Sequence, residues 1–235
     1  MTKLATPAGT ARVLGTVQSV QVGKVQSHGT PGATDPVHRP RRSAFVKTPI
    51  EGSARVGPLG LEGDEQADKR HHGGPNQAVL MYSADHFPGW RSEHGLADVG
   101  PGGFGENLTV SGLAEADVCV GDRLRVGTTV LEVSQPRQPC SNIDRRWGRK
   151  GVMDATVAGG RGGWYLRVIE PGEVRAGEAV RLMERPHPGL TVALANDAHY
   201  GRCHDRAAFD ALLACPALTE SFKRGVRAGL NKLEP

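Results

Sequence analysis

The sequence predicts a mainly β protein, a barrel or a sandwich with short peripheral helices, followed by a small helical unit at its C-terminal end. Three observations carry this. Short runs rich in Val, Leu, Ile and Thr recur between glycine-containing turns for most of the chain. The 235 residues include 32 Gly and 16 Pro but only 5% aromatics, a composition of turns and short strands rather than long helices. Past the linker at 186–189 the pattern changes to capped, amphipathic segments.

Residues 1–10 carry no pattern and read as frayed. The β-branched run at 13–20 is the first strand. Residues 28–43, HGTPGATDPVHRPRRS, form a loop by composition, either a solvated excursion or a basic lid over an anionic site. Strand character returns at 43–49 around Lys47, a lone lysine whose default is a solvated charge. Residues 56–64, VGPLGLEGD, read as a tight turn system. Next, His71-His72-Gly73-Gly74-Pro75 brings imidazole close to bare backbone amides, so contact of one histidine with a ligand and a turn-stabilising role are both open. A zinc pair is a poor reading, because neighbours on a strand face opposite ways and H-x-x-x-H spacing is absent.

A strand at 78–82 leads to a helix at 83–94, with Ser83 as its N-cap. The glycine-rich turn at 102–108 precedes another strand. It lacks the G-x-G-x-x-G spacing and a following helix, so it is not a dinucleotide loop. Strands and turns continue through 118–126 and 129–133; 145–158 is ambiguous and allows a helix. The run 164–169 is a strand, Pro171-Gly172 a turn, and 179–183 the closing strand. Helices follow at 191–198 (cap Thr191), 205–214 (cap Asp205) and 221–230, the last with Phe222, Val226 and Leu230 at four-residue steps. Lys223, Arg224 and Arg227 read as its solvated face. Three short helices are marginal alone and should dock on the main body or on a partner.

The stretch most suited to chemistry is Ser134-Gln135-Pro136-Arg137-Gln138-Pro139-Cys140, where a strand runs out into a loop. Its prolines stiffen the loop that presents Cys140. Arg137, Arg145 and Arg146 are nearby cations, which favour thiolate, the metal-binding and nucleophilic form. An inert, buried cysteine is the bland alternative; prolines, arginine and position after a strand favour a functional one. The four cysteines include no C-x-x-C pair, so no disulfide framework or structural zinc site is indicated, and a reducing cytoplasm is the default. No signal peptide or bilayer-spanning run is visible. A net charge of +4 favours an anionic ligand without requiring nucleic acid.

The text Gly60-Leu61-Glu62-Gly63-Asp64-Glu65-Gln66, His72-Gly73-Gly74-Pro75, Phe104-Gly105-Glu106-Asn107-Leu108, Gly121-Asp122, Gln135-Pro136-Arg137-Gln138-Pro139-Cys140 and Gly163-Trp164-Tyr165, in this order, resembles the MOSC domain (the molybdenum-cofactor sulfurase C-terminal fold) in its YiiM-like bacterial branch. The resemblance implies a MOSC-type β-barrel over 1–187, ordered from about residue 12, and a three-helix domain over 188–235. It implies a molybdenum–pterin cofactor with Cys140 as molybdenum ligand and as the catalytic residue. Lys47, His72, Gly73, Asn107 and Arg137 would line the pterin and its phosphate. The reaction implied is reduction of N-hydroxylated compounds such as hydroxylaminopurines and amidoximes, with electrons from a redox protein, as in the related mitochondrial amidoxime-reducing component. One soft thiolate suffices because the pterin dithiolene already holds the metal. Further expectations are a cytoplasmic protein without membrane or specific nucleic-acid partners, for which a homodimer is a compatible assembly. Two alternatives stay open: a sulfur-carrier or cofactor-maturation module using a Cys140 persulfide, and a non-enzymatic binding protein using the helical tail. All the motif residues precede 188, so deleting the tail from about Pro188 is expected to spare cofactor binding while affecting activity or assembly.

Overall fold

The computed structural model describes residues 12–70 and 72–233; residues 1–10, read above as frayed, and His71 lie outside the described residues. Seven strands close a mixed barrel: β1 (Arg12–Val22), β7 (Val79–Ser83), β8 (Leu108–Ser111), β9 (Arg123–Val126), β10 (Thr129–Pro136), β11 (Trp164–Glu170) and β13 (Ala179–Glu184). Their order is β13-β9-β10-β11-β7-β8-β1, and β1 closes the ring on β13. Each pairing is antiparallel except β7–β8, which is parallel because the connection between them crosses over through α1 (Phe87–His94). The resemblance resolves the barrel-or-sandwich choice correctly. Val17, Met81, Leu108, Leu131, Val133, Trp164 and Leu166 fill the interior from alternate positions of the strands.

Smaller elements decorate the barrel. The sequence loop at 28–43 is bounded by a short hairpin, β2 (Gln26–His28) with β3 (Arg41–Ser43). Strand character at 43–49 reduces to β4 (Thr48–Pro49), paired with the end of β1. The turn system at 56–64 is the hairpin β5 (Ser53–Gly57) and β6 (Gly60–Leu61). Pro171-Gly172 is not only a turn: Gly172 begins β12 (Gly172–Arg175), which pairs with β5. The ambiguous 145–158 region contains two helices, α2 (Asn142–Trp147) and α3 (Val152–Ala158), separated by Gly148 and Gly151 in the left-handed region. Their inner residues Ile143 and Val152 pack with Tyr82, Trp90 and Phe104 in a second, aromatic-rich cluster beside the barrel.

The tail forms α4 (Val192–Tyr200), α5 (Arg206–Ala214) and α6 (Glu220–Leu230). Thr191 and Asp205 cap as read; α6 starts earlier than the sequence indicated, with Thr219 accepting from the Phe222 N–H. Phe209, Leu212, Phe222 and Val226 bury one another together with Val120 of the barrel, so the helices dock on the main body. Lys223 corrects the solvated-face reading: it is 6% exposed and reaches out to Glu220. Arg185 grips buried Asp122 through Nε (2.9 Å) and Nη2 (2.7 Å), holding the start of the linker against the barrel. No helix among the described residues is long and apolar enough to cross a membrane.

Candidate active site around Cys140

The strand feeding the site is longer than the sequence showed. β10 continues through Ser134, Gln135 and Pro136, with Pro136 opposite Trp164 of β11. Proline is tolerated there because β9 pairs with β10 only from Thr129 to Glu132, leaving the other edge free at Pro136. Arg137 then donates its backbone N–H to Gly163 O at 3.0 Å. Gly163 has φ 78°, and a Cβ on it would lie 2.4 Å from Met81 O, so a side chain would strain this contact. Glu115 is 4% exposed; it accepts from Gly163 N at 2.8 Å and pairs with His86 at 2.7 Å. After Pro139, the carbonyl of Cys140 accepts from Ile143 N at 3.0 Å, opening α2. Cys140 is thereby held between a barrel rim and a helix anchored in the aromatic cluster.

Cys140 is the half-buried member of four free cysteines, whereas Cys119, Cys203 and Cys215 are buried. Burial pushes its thiol up. A hydrogen bond from His72, the charge of Arg137 and the Asn142 N–H outweigh that and bring the pKa down to about 7. Thiolate is therefore more accessible near neutral pH than for an ordinary cysteine. Arg137 itself is 3% exposed, and its guanidinium lies 5.6 Å from the Phe45 ring centroid.

The facing wall is built on a carboxylate that the sequence reading quoted but assigned no role. Asp64 Oδ1 accepts from the Lys47 ammonium and from Gly23 N (2.7 Å), and Oδ2 accepts from Asn107 Nδ2 at 2.9 Å. Asn107 Oδ1 in turn accepts from Leu80 N at 3.1 Å. Lys47 is thus not the solvated charge that a lone lysine suggests. Its side chain is 8% exposed, and burial lowers its pKa despite the opposing pull of Asp64. The motif position was legible; the carboxylate's partners were not, because they are remote in sequence.

Lys47, His72, Gly73, Asn107, Arg137 and Cys140, all named from the sequence, line one cavity of about 530 Å³ together with Asp64, Gln77 and Tyr165. Two buried polar atoms of this wall, Arg137 Nη1 and Gln77 Oε1, have no hydrogen-bond partner. Gln77 and Arg137 are lining residues of the cavity, and a buried polar atom without a partner is uncommon in a folded protein. Among the described residues no group of three or more His, Cys, Asp or Glu is placed to hold a metal. A metal here would draw on one thiolate and on ligands carried by an organic group. Tyr165, whose pKa burial raises, stays a neutral phenol at physiological pH. The donor set thus fits an anionic, polar cofactor whose metal needs one sulfur.

The helical tail reaches the loop that carries Cys140. Gln138 Nε2, two residues before Cys140, lies 2.9 Å from His199 Nε2 on α4. Thr219 donates its hydroxyl to Gln135 Oε1, and Arg167 Nη2 reaches Ala217 O at 3.0 Å. The His199 ring lies tilted against Phe222, centroids 4.6 Å apart, and fills the space beside Gly225, where a Cβ would meet the ring at 2.0 Å. His199→Ala should loosen the Gln138 loop, lower stability by about 1–2 kcal/mol and raise the Cys140 alkylation rate severalfold at fixed pH. An unchanged alkylation rate would separate the tail from the site.

Comparison with known proteins agrees with this architecture. The MOSC domain model matches residues 68–181, and the YiiM-like, 3-alpha helix domain model matches 190–231. Protein YiiM of Escherichia coli (strain K12) is 34% identical over 208 residues, covering 87% of this chain and 88% of that protein. A protein of Gibberella moniliformis named a reductase is 38% identical over 155 residues, covering 64% of this chain but only 27% of its own length. The crystal structure of YiiM from Geobacillus stearothermophilus superposes with a TM-score of 0.74 at 31% identity, covering 92% of this chain and 99% of that one. With a mixed barrel, a cysteine presented at its rim and three docked helices, the chain belongs to the MOSC-domain family, in its YiiM-like branch.

Proposed function

We propose that the chain is a molybdenum-cofactor-dependent reductase of N-hydroxylated compounds, of the hydroxylaminopurine and amidoxime class. The observation that carries the reading is Cys140, its thiol brought down to about 7, on a cavity with two unsatisfied buried polar atoms. The relative named a reductase supports the reaction class. Cys140 would supply the one protein sulfur to molybdenum. Arg137 Nη1, Gln77 Oε1, the amide of Gly73 and the Lys47–Asp64–Asn107 wall would hold the pterin and its phosphate. When bound, the cofactor would supply the two-electron redox chemistry. The balanced conversion is R–NH–OH plus two electrons and two protons to R–NH2 plus water, with a redox protein as electron donor. His72, hydrogen-bonded to the sulfur, would favour the thiolate form of Cys140.

Purified protein should contain stoichiometric molybdenum and release a fluorescent oxidised pterin; a folded, active protein without either would overturn the reading. A Cys140 persulfide without bound metal would favour the sulfur-carrier alternative.

Arg137 gives a separate test. Arg137→Ala should weaken cofactor loading roughly ten- to a hundredfold, since a charge-assisted contact contributes about 1.5–3 kcal/mol. Arg137→Lys keeps the charge but loses the planar fork, so its loss should be smaller if charge is what counts and comparable if bidentate geometry is. In apo-protein, Cys140 alkylation should rise as pH passes about 7, as the thiolate forms. Because Arg137 favours thiolate, this rise should move to higher pH in Arg137→Ala. Unchanged loading and an unchanged alkylation profile would remove Arg137 from the site.

A further inference from the structure

The β2–β3 hairpin and α2, distant in sequence, are held together at the mouth of the cavity. Lys150, just beyond α2, pairs with Asp35 of the hairpin loop at 3.1 Å, and Gly148 lies against His38. This contact gathers cations. Arg42 from β3 and Arg145 from α2 both line the cavity, and Arg41 is close enough to Arg145 to feel its charge. Among the described residues no carboxylate is within 4 Å of any of the three in an ion pair, although Glu65 on the cavity wall is close enough to Arg42 to feel its charge. The carboxylates of the cavity wall are engaged elsewhere: Asp64 by Lys47 and Asn107, Glu65 by Lys24 and the Val25 amide, Asp68 by the Arg70 amide. Arg41 donates through Nη1 to Val37 O at 3.3 Å, but its Nε is buried without a partner.

Arg41 and Arg145, both partly buried, repel one another and lose hydration, while Arg42 beside them is exposed; an anion offsets the repulsion. Arg137 and Gln77 line the same cavity as Cys140, and exposed Arg42 gives its wall a second polar region open to solvent. We propose that Arg42 and Arg145 form an anion subsite that takes a phosphate monoester on the substrate. The substrate class is then an N-hydroxylated nucleotide in preference to the free base. The naming of that substrate rests on the reductase reading; the subsite itself does not.

The test has a binding arm and a kinetic arm, both on the full chain with its cofactor. Equilibrium dialysis at low salt should show adenosine 5′-monophosphate bound roughly ten- to a hundredfold more tightly than adenosine. That preference should shrink with added salt, because the rim is open to solvent. In Arg42→Gln/Arg145→Gln it should fall to near parity, and Arg42→Lys/Arg145→Lys should retain part of it. In the kinetic arm, the double glutamine variant should raise KM for a hydroxylaminopurine nucleotide by a similar factor relative to KM for the free base. Equal binding of monophosphate and nucleoside by the wild type overturns the subsite. Loss of pterin from the double variant also overturns it, because the arginines would then serve the cofactor's own phosphate. Phosphate preference without turnover of any N-hydroxylated compound supports the subsite and overturns the reductase reading instead.

Discussion

Cys140→Ser is expected to abolish reduction of N-hydroxylated compounds while leaving the fold intact. Serine keeps the size of the side chain but not its chemistry: a hydroxyl stays protonated at neutral pH, whereas the Cys140 thiol is brought down to about 7. Loss of partners that merely orient a metal ligand lowers affinity or activity by about ten- to a hundredfold, so loss of the ligand itself should exceed a hundredfold. Stability should change by less than about 1 kcal/mol, because Cys140 is half-buried on a loop and contributes little to the core. Serine at Cys119, Cys203 or Cys215 should behave in the opposite way. These thiols are 2%, 8% and 2% exposed, so a hydroxyl there is buried and costs about 1–3 kcal/mol of stability, with turnover per folded molecule preserved. Wild-type turnover in Cys140→Ser with a hydroxylaminopurine would sink the thiolate-ligand mechanism.

Asp64→Ala should produce the largest loss of stability among single changes at the site, about 3–5 kcal/mol, because it strands a buried ammonium. Lys47 is 8% exposed on its side chain, and Asp64 is its carboxylate partner; the same change removes an acceptor from Asn107 and from the Gly23 amide. The pH dependence is specific. Burial already lowers the Lys47 pKa, and without Asp64 it should fall further. The unfolded lysine keeps its proton up to the ordinary value while the folded variant has released it, so the unfolded state binds more protons. Stability of Asp64→Ala should therefore rise as pH increases towards 10, and its deficit should shrink. Adding Lys47→Met removes the stranded charge and should recover part of the loss, giving a coupling energy between the two positions. Urea unfolding at several pH values measures all of this. A deficit under about 1 kcal/mol, flat with pH, would show that Lys47 finds compensation elsewhere.

Local pattern went far here. β-branched runs between glycine turns marked most of the barrel strands, because period and propensity act within a few residues. The caps Thr191 and Asp205 were legible for the same reason: a side chain that accepts from an amide two or three residues ahead needs no tertiary help. Cys140, Arg137 and the prolines sit within one short stretch, so their proximity, and the electrostatic bias it creates, could be read directly from the chain.

Other features depend on distance. The end of β10 read as loop because Pro136 argues against a central strand; only the absence of β9 beside it makes that proline acceptable. Lys223 read as solvated because spacing along α6 does not show how closely its stem packs against the neighbouring helices. Lys47 and Asp64, and Asp64 and Asn107, meet only when β1 closes the ring between β8 and β13. The role of a charge is set by what faces it and by how much water remains, and both are properties of the closed barrel. By itself, the sequence determined the mainly β architecture, the three tail helices and the proline-stiffened, arginine-bearing stretch ending at Cys140, since each rests on neighbouring residues. Only the tertiary structure decided that Asp64 neutralises Lys47 and that α4 touches the cysteine loop through His199, because those contacts join segments that no local pattern connects.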